Sequence, residues 1–243
     1  MQKIVLIGSG NVAHHLAQAL DDAGYQILQV ISKSKANASA LAQKVNADSE
    51  TDLGKIQKAD FAIVAVNDDS ITEVVSKIKK MHVAHTSGSV SVEDTGVFYP
   101  VQTFSKGIPL DLKEVPFCVS AKDKAFEKIL IQVAKSISNK VFQIEEKQRK
   151  VLHLAAVFAC NFSNQMYAIA EQLLVQSELD FEILKPLITQ TAHKIQTNDP
   201  QNVQTGPAKR KDLQTINNHI ALLEDKELID VYKLISNQIL EQE

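Results

Sequence analysis

The sequence predicts an α/β chain in two parts: a mostly parallel sheet with crossover helices, then an all-helical domain. Two observations carry this. Short apolar runs alternate with segments of helical spacing through the first half, which implies parallel strands joined by right-handed crossovers. From about Glu145 onward the strand pattern stops, and three long segments of helical periodicity follow. The expected domains are 1–145 and 146–243.

The elements follow in order. "KIVLIG" is a continuous apolar run, as expected of a strand covered on both faces. "NVAHHLAQALDDAG" has helical spacing, with Val12, Leu16, Ala19 and Leu20 on a shared face. "YQILQVIS" reads as a second strand, "KANASALAQKV" as a helix and "ADFAIVAV" as a third strand. "DDSITEVVSKIKK" reads as a helix with Asp69 or Ser70 as its N-cap. "HVAHTS", "VFYPVQTF", "VPFCVS" and "KVFQI" read as further strands, with a helix over "KAFEKILIQVAKSI".

The 243 residues are 44% hydrophobic and 23% charged, an ordinary composition for a globular chain with an ample core. A net charge of −3 with dispersed basic residues argues against a nucleic-acid or membrane-surface partner. Cys118 and Cys160 lie in apolar surroundings without metal-ligand spacing. They read as reduced core thiols of a cytoplasmic protein, and no metal site is expected. The chain opens on a strand pattern without a signal peptide, and no apolar segment suits a membrane span.

Gly8-Ser9-Gly10-Asn11-Val12-Ala13 forms a G-x-G-x-x-A turn between the first strand and the first helix. Gly8 permits the tight turn, Gly10 lets the backbone approach a pyrophosphate, and Ala13 lets the helix pack on the sheet. The helix start offers free N–H groups and a positive dipole end to phosphates. At the end of the second strand an NAD site usually carries a carboxylate. This chain has Ser32, Lys33, Ser34 and Lys35 instead. Hydroxyl and ammonium groups suit a 2′-phosphate, so NADP(H) is favoured over NAD. Val66, Asn67 and Asp68, and Thr86, Ser87 and Gly88, end later strands and are expected near the nicotinamide half. The competing reading makes them ordinary turns and caps.

Together "GSGNVAHHLA", "AVNDDSI", "HTSGSV", "YPVQTFS", "HLAAVFACNFSNQMYAIAE" and "TGPAKRKD" resemble bacterial Rossmann-like proteins with an uncharacterised helical C-terminal domain, provisionally described as NADP oxidoreductases. The chain is similar more distantly to pyrroline-5-carboxylate reductases, ketopantoate reductases, and β-hydroxyacid and 6-phosphogluconate dehydrogenases. The resemblance implies a Rossmann-type NADP domain, a helical C-terminal domain, an active site between them, and a homodimer through the C-terminal helices.

The helix "HLAAVFACNFSNQMYAIA" is apolar except for a polar stripe. At 100° per residue His153, Val157, Asn161 and Asn164 fall within an arc of about 80°. Histidine titrates near neutral pH and can act as general acid or base, and Asn161 can orient a substrate, with Asn164 beside it. The hydroxyacid dehydrogenases, by resemblance, use a lysine with an asparagine one or two turns later. This chain has Lys150, but His153 has the better spacing to Asn161. The bland alternative is that these polar groups pair with one another. In "TGPAKRKD", Thr205 or Gly206 can cap a helix with Pro207 near its first position, which would set Arg210 in the first turn as a carboxylate grip. Ser87 is a second candidate for the substrate. Tyr99 and Gln102 rank lower, and His14 and His15 read as structural or surface residues.

The expected function is an NADP-dependent oxidoreductase passing a hydride between NADP(H) and a small carbonyl or imine in the interdomain cleft. A non-catalytic NADP(H)-binding sensor or interaction protein is the alternative.

Overall fold

The computed structural model describes residues 2–79 and 81–242. Eight strands form one sheet: β1 (Lys3–Ile7), β2 (Gln26–Ile31), β3 (Asp48–Glu50), β4 (Phe61–Val64), β5 (His82–His85), β6 (Gly96–Pro100), β7 (Phe117–Ala121) and β8 (Val141–Gln143). Their order is β3-β2-β1-β4-β5-β6-β7-β8. Every neighbouring pair is parallel except β6 and β7. The order reverses between β1 and β4, and in such sheets ligands bind beyond the carboxyl ends of the strands at that reversal.

Alternation along β1 explains its unbroken apolar run. Ile4 and Leu6 enter the core on one face, and Val5 and Ile7 the core on the other. Helices α1 (Asn11–Asp22), α2 (Lys35–Lys44) and α4 (Lys124–Ile137) cover the first face, and α3 (Asp68–Lys77) covers the second. In α1 the fully buried residues are Ala13, Leu16, Ala17 and Leu20, while Val12 and Ala19 are only partly buried against the same core. The inward face is therefore rotated slightly from the one expected.

Several other expectations are corrected. β3 has the sequence Asp48-Ser49-Glu50, too short and too exposed at the sheet edge to leave an apolar signature. The N-cap of α3 is Asn67, so both Asp68 and Asp69 sit in the first turn against the positive end of the helix dipole. That helix ends at Lys77, and Lys80, expected within it, lies outside the described residues. Cys118 is buried and its thiol is pushed up to about 11 by burial, but Cys160 is exposed and is not a core residue.

The chain divides into two compact units, Met1–Met166 and Tyr167–Glu243. The first contains the sheet and α5 (Glu146–Ala156), followed by a π turn over Val157–Phe162. After it comes α6 (Ser163–Gln176). The second contains α7 (Lys185–Lys194), α8 (Leu213–Ala221) and α9 (Lys226–Leu240), with His219 Nδ1 and the Tyr232 hydroxyl 2.9 Å apart between α8 and α9. Among the described residues no helix is long and apolar enough to cross a membrane.

Leu16 is fully buried between α1 and the sheet. Its replacement by alanine is expected to lower the unfolding free energy by about 2–5 kcal/mol. Urea denaturation would show the loss as a reduced midpoint with an unchanged slope.

Candidate functional site

The first part of the site is the turn from β1 into α1. Gly8 has a φ of +122°, and a Cβ there would lie 2.1 Å from the Ala65 carbonyl oxygen at the end of β4. Only glycine lets β1 and β4 end side by side in this way. Gly10 is the N-cap of α1. It makes no side-chain cap, the first turn holds no acidic residue, and a Cβ on Gly10 would meet nothing within 4 Å. The N–H groups at the start of α1 therefore face open space with the dipole behind them, which fits a pyrophosphate.

The Ser9 and Ser32 hydroxyls are 2.7 Å apart, linking the ends of β1 and β2. Lys33 is exposed beside them, and Ser34 caps α2 through the Asn37 N–H. This set of hydroxyl and ammonium groups fits a ribose 2′-phosphate. The Asn11 amide does not face the turn, because it donates to the Phe104 carbonyl at 2.8 Å.

The second part is built where β5, β6 and α5 meet. The backbone leaves β5 through Thr86-Ser87-Gly88-Ser89. The Ser87 hydroxyl accepts from the Ser89 and Val90 N–H groups at 3.1 and 3.0 Å, closing a tight turn. The Ser89 hydroxyl donates to the Asp68 carboxylate on α3. Arg149 of α5 is 2% exposed and donates to the Ser87 carbonyl at 2.9 Å. It has a longer contact of 3.4 Å with Ser91 Oγ, and among the described residues its Nε has no partner. Among the described residues no carboxylate pairs with this guanidinium.

One helical turn after Arg149, His153 Nδ1 lies 3.1 Å from the Tyr99 hydroxyl of β6, with the rings edge to face. Both rings rest on Gly88. A Cβ there would lie 2.7 Å from His153 Nδ1 and 2.7 Å from Tyr99 Cζ. Burial raises the Tyr99 phenol above its ordinary pKa, so it remains protonated. With Nδ1 engaged by Tyr99, Nε2 of the half-buried His153 is the nitrogen left for a ligand. The cluster offers a positioned imidazole at the carboxyl edge of the sheet, on the same edge as the α1 turn.

The remaining sequence candidates are placed as follows. Val66 is half-buried and Asn67 exposed at the start of α3. Asn161 falls inside the π turn, and both Asn161 and Asn164 are exposed with no side-chain hydrogen bond among the described residues. A π turn bonds i to i+5, so the arc drawn at 100° per residue does not hold across it. The single stripe expected of a continuous α-helix is thus broken after Ala156. Lys150 turns away into an ion pair with Glu146 at 2.7 Å.

Arg210 is not in a helical first turn. Residues 207–211 form isolated turns, Gly206 has a φ of +106°, Lys211 has a φ of +57°, and α8 begins only after Asp212, which caps it. The helix-terminus argument for Arg210 as a carboxylate grip therefore falls away.

Residues 115–239 match the family described as a domain of unknown function (DUF2520), just over half of the chain. The chain belongs to the DUF2520 family. Residues 3–92 of this DUF2520 protein match a second family, described as NADP oxidoreductase, coenzyme F420-dependent. A solved structure from Bacteroides fragilis, provisionally described as an NADP oxidoreductase, is 41% identical, covers 99% of this chain and 98% of its own, and superposes with a TM-score of 0.93. Pyrroline-5-carboxylate reductase from Streptococcus pyogenes is 13% identical over 99% of both chains at a TM-score of 0.65, a likeness of fold. Glutamyl-tRNA reductase of Listeria welshimeri is 24% identical over 194 residues. That match takes in 72% of this chain but only 44% of the relative's length.

Two buried residues that shape the candidate site of this DUF2520 chain carry little signal in the sequence: Arg149 and His85. Arg149 stands four residues before His153, hence on the same helix face, which is the signal that was available. His85 ends β5 and is 1% exposed. Its Nδ1 accepts from the Ser87 N–H at 3.3 Å, which leaves the proton on Nε2, an atom without a partner among the described residues. Burial, with Arg149 adding to it, lowers its pKa from 6.5 to about 4.

This gives a pH dependence of stability. Between pH 6.5 and about 4 the unfolded chain takes up a proton that folded His85 does not, so stability falls as the pH drops through that window and the loss levels off below it. The expected size is about 3 kcal/mol. His85→Gln should remove this component. Parallel pH profiles of wild type and variant in urea denaturation would contradict the assignment.

Proposed function

We propose that the chain is an NADP(H)-dependent oxidoreductase that passes a hydride between the cofactor and a small carbonyl or imine. The observation that carries this is the Tyr99–His153 pair seated on Gly88, on the same sheet edge as the uncapped start of α1. The NADP in the descriptions of the matched family and of the Bacteroides fragilis relative supports the cofactor, as does the absence of a carboxylate after β2. Pyrroline is a cyclic imine, and the shared fold supports an imine among the substrates.

The cofactor would supply the hydride at nicotinamide C4. The Gly8–Ala13 turn would hold its pyrophosphate, and Ser32, Lys33 and Ser34 the 2′-phosphate. Val66 and Asn67, with Ser87 and Gly88, would line the nicotinamide half. His153 gives a proton from Nε2 to the substrate oxygen or nitrogen during reduction, or takes one during oxidation. Tyr99 keeps the imidazole in place through Nδ1. The carbonyl of Ser87 is tied down by Arg149, so its hydroxyl and the Gly88 backbone hold a fixed position for substrate as well as cofactor.

Val151, Leu154, Phe158 and Phe162 are large apolar residues, 48–63% exposed, at spacings of three and four along α5 and the π turn. They support a homodimer formed through these helices.

Fluorescence titration should show tighter binding of NADPH than NADH, and Gly8→Ala should abolish both. Absence of NADPH binding by the wild type would sink the cofactor assignment. On a carbonyl or imine substrate found by following NADPH consumption, His153→Ala should lower turnover by about 10²–10⁴-fold. Full turnover by that variant would remove His153 from the mechanism. Tight NADPH binding without turnover across the panel would favour a sensor, a reading consistent with Lys150 being held by Glu146.

For the oligomer, light scattering should give twice the chain mass for wild type and a shift toward single chains for Phe158→Glu. A wild type that elutes at 26.8 kDa would contradict the dimer.

A further inference from the structure

A second cleft is lined by α1, by the segment 106–113 and by the end of α4, and neither Tyr99 nor His153 lines it. Its volume is about 620 Å³, within the range of small-molecule sites. One wall is the exposed face of α1 from His14 to Ala23. The other is the segment 106–113 that follows β6. Ile108, Leu110 and Leu112, with Ala19 and Ile137, supply an apolar lining.

The charged groups around this cleft are unevenly satisfied. The two carboxylates are engaged: Asp22 accepts from the Gln18 amide at 3.0 Å, and Asp111 accepts from the Lys113 N–H at 2.9 Å. Lys113 Nζ is also engaged, donating to the Ser136 carbonyl at 2.8 Å. Lys44 and Lys106 have no carboxylate partner among the described residues. His14 Nε2 is buried and has no partner among the described residues. The cleft therefore has two lysines without a carboxylate partner among the described residues, beside an apolar lining.

The wall segment also reaches the cofactor turn. Just before it, Phe104 and Ser105 offer their carbonyls to Asn11 at 2.8 Å and His15 at 3.3 Å, and the Phe104 ring packs on His15 with centroids 5.3 Å apart. Occupancy of the cleft would thus be felt in the first turn of α1.

We infer that this cleft is a second binding site, for a small organic anion with an apolar body such as an aryl or alkyl phosphate. Lys44 and Lys106 would meet the anion, and Ile108, Leu110 and Ile137 would cover the apolar part. This inference does not depend on the oxidoreductase reading.

The test is a titration of the full chain with phenyl phosphate, followed by amide chemical shifts. The expected result is saturable shifts in residues 14–22 and 104–113. The exposed pair Lys44→Glu and Lys106→Glu should weaken them at least tenfold. Any response of Gly8 to Ala13 caused by phosphate in the cofactor turn would keep its affinity in that variant, which separates the two sites. Inorganic phosphate should bind more weakly than phenyl phosphate, and benzyl alcohol should not saturate. Absence of saturable shifts in the cleft, equal affinity in the charge-reversed variant, or inorganic phosphate binding as well as phenyl phosphate would each overturn the inference.

Discussion

Close backbone approach at two glycines is the constraint on which the site depends. Gly8 lets the ends of β1 and β4 lie against each other, and Gly88 lets an imidazole and a phenol rest on the chain as it leaves β5. A methyl group at the first would enter the Ala65 carbonyl, and at the second would enter both rings. Neither contact can be relieved by turning a flexible side chain, since one partner is backbone and the other is a pair of rings fixed by their own hydrogen bond. The sheet edge is therefore shaped by what is missing from two residues as much as by what the others provide.

Around Gly88 the polar groups form a nested set. Ser87 closes its own turn, Ser89 ties that turn to Asp68, and Arg149 holds the Ser87 carbonyl from below. A guanidinium 2% exposed and without a paired carboxylate among the described residues is expensive to bury. Its position is compatible with a stable fold because two of its nitrogens find oxygen acceptors and because His85 beside it stays neutral. The cost falls where fixed geometry is most useful: the turn after β5, one helical turn from His153. The fold thus uses α5 twice, with one face locking the β5 turn and another exposing the apolar residues Val151 and Leu154.

Much of this could be read from the sequence, for physical reasons that differ by element. The parallel strands and the α1 turn were legible because both-face burial gives continuous apolar runs, and because Gly8, Gly10 and Ala13 stand at a strand–helix junction. β3 was not, since an exposed three-residue edge strand buries almost nothing. His153 stood out as a polar residue on an apolar helix. Its partner Tyr99 gives little signal, because a separation of 54 positions conceals a contact made only by β6 meeting α5. Arg149 and His85 were missed for the same reason: their roles come from burial against the β5 turn, and periodicity does not report burial of a charged group. The π turn was invisible, since helical spacing continues through Val157–Phe162, and the regular stripe assumed across it does not survive. Arg210 was misplaced because Lys211 adopts a left-handed conformation and passes the cap to Asp212.

The central claim is that the Gly88 edge, with His153 above it, is where the chemistry occurs. A crystal structure with NADP⁺ bound tests it most directly. The account predicts the pyrophosphate on the Gly8–Ala13 turn, the nicotinamide against Ser87 and Gly88, and room for a substrate atom about 3–3.5 Å from both nicotinamide C4 and His153 Nε2. A nicotinamide ring placed away from Gly88, or one from which His153 cannot reach the reacting atom even through a single water, would contradict it.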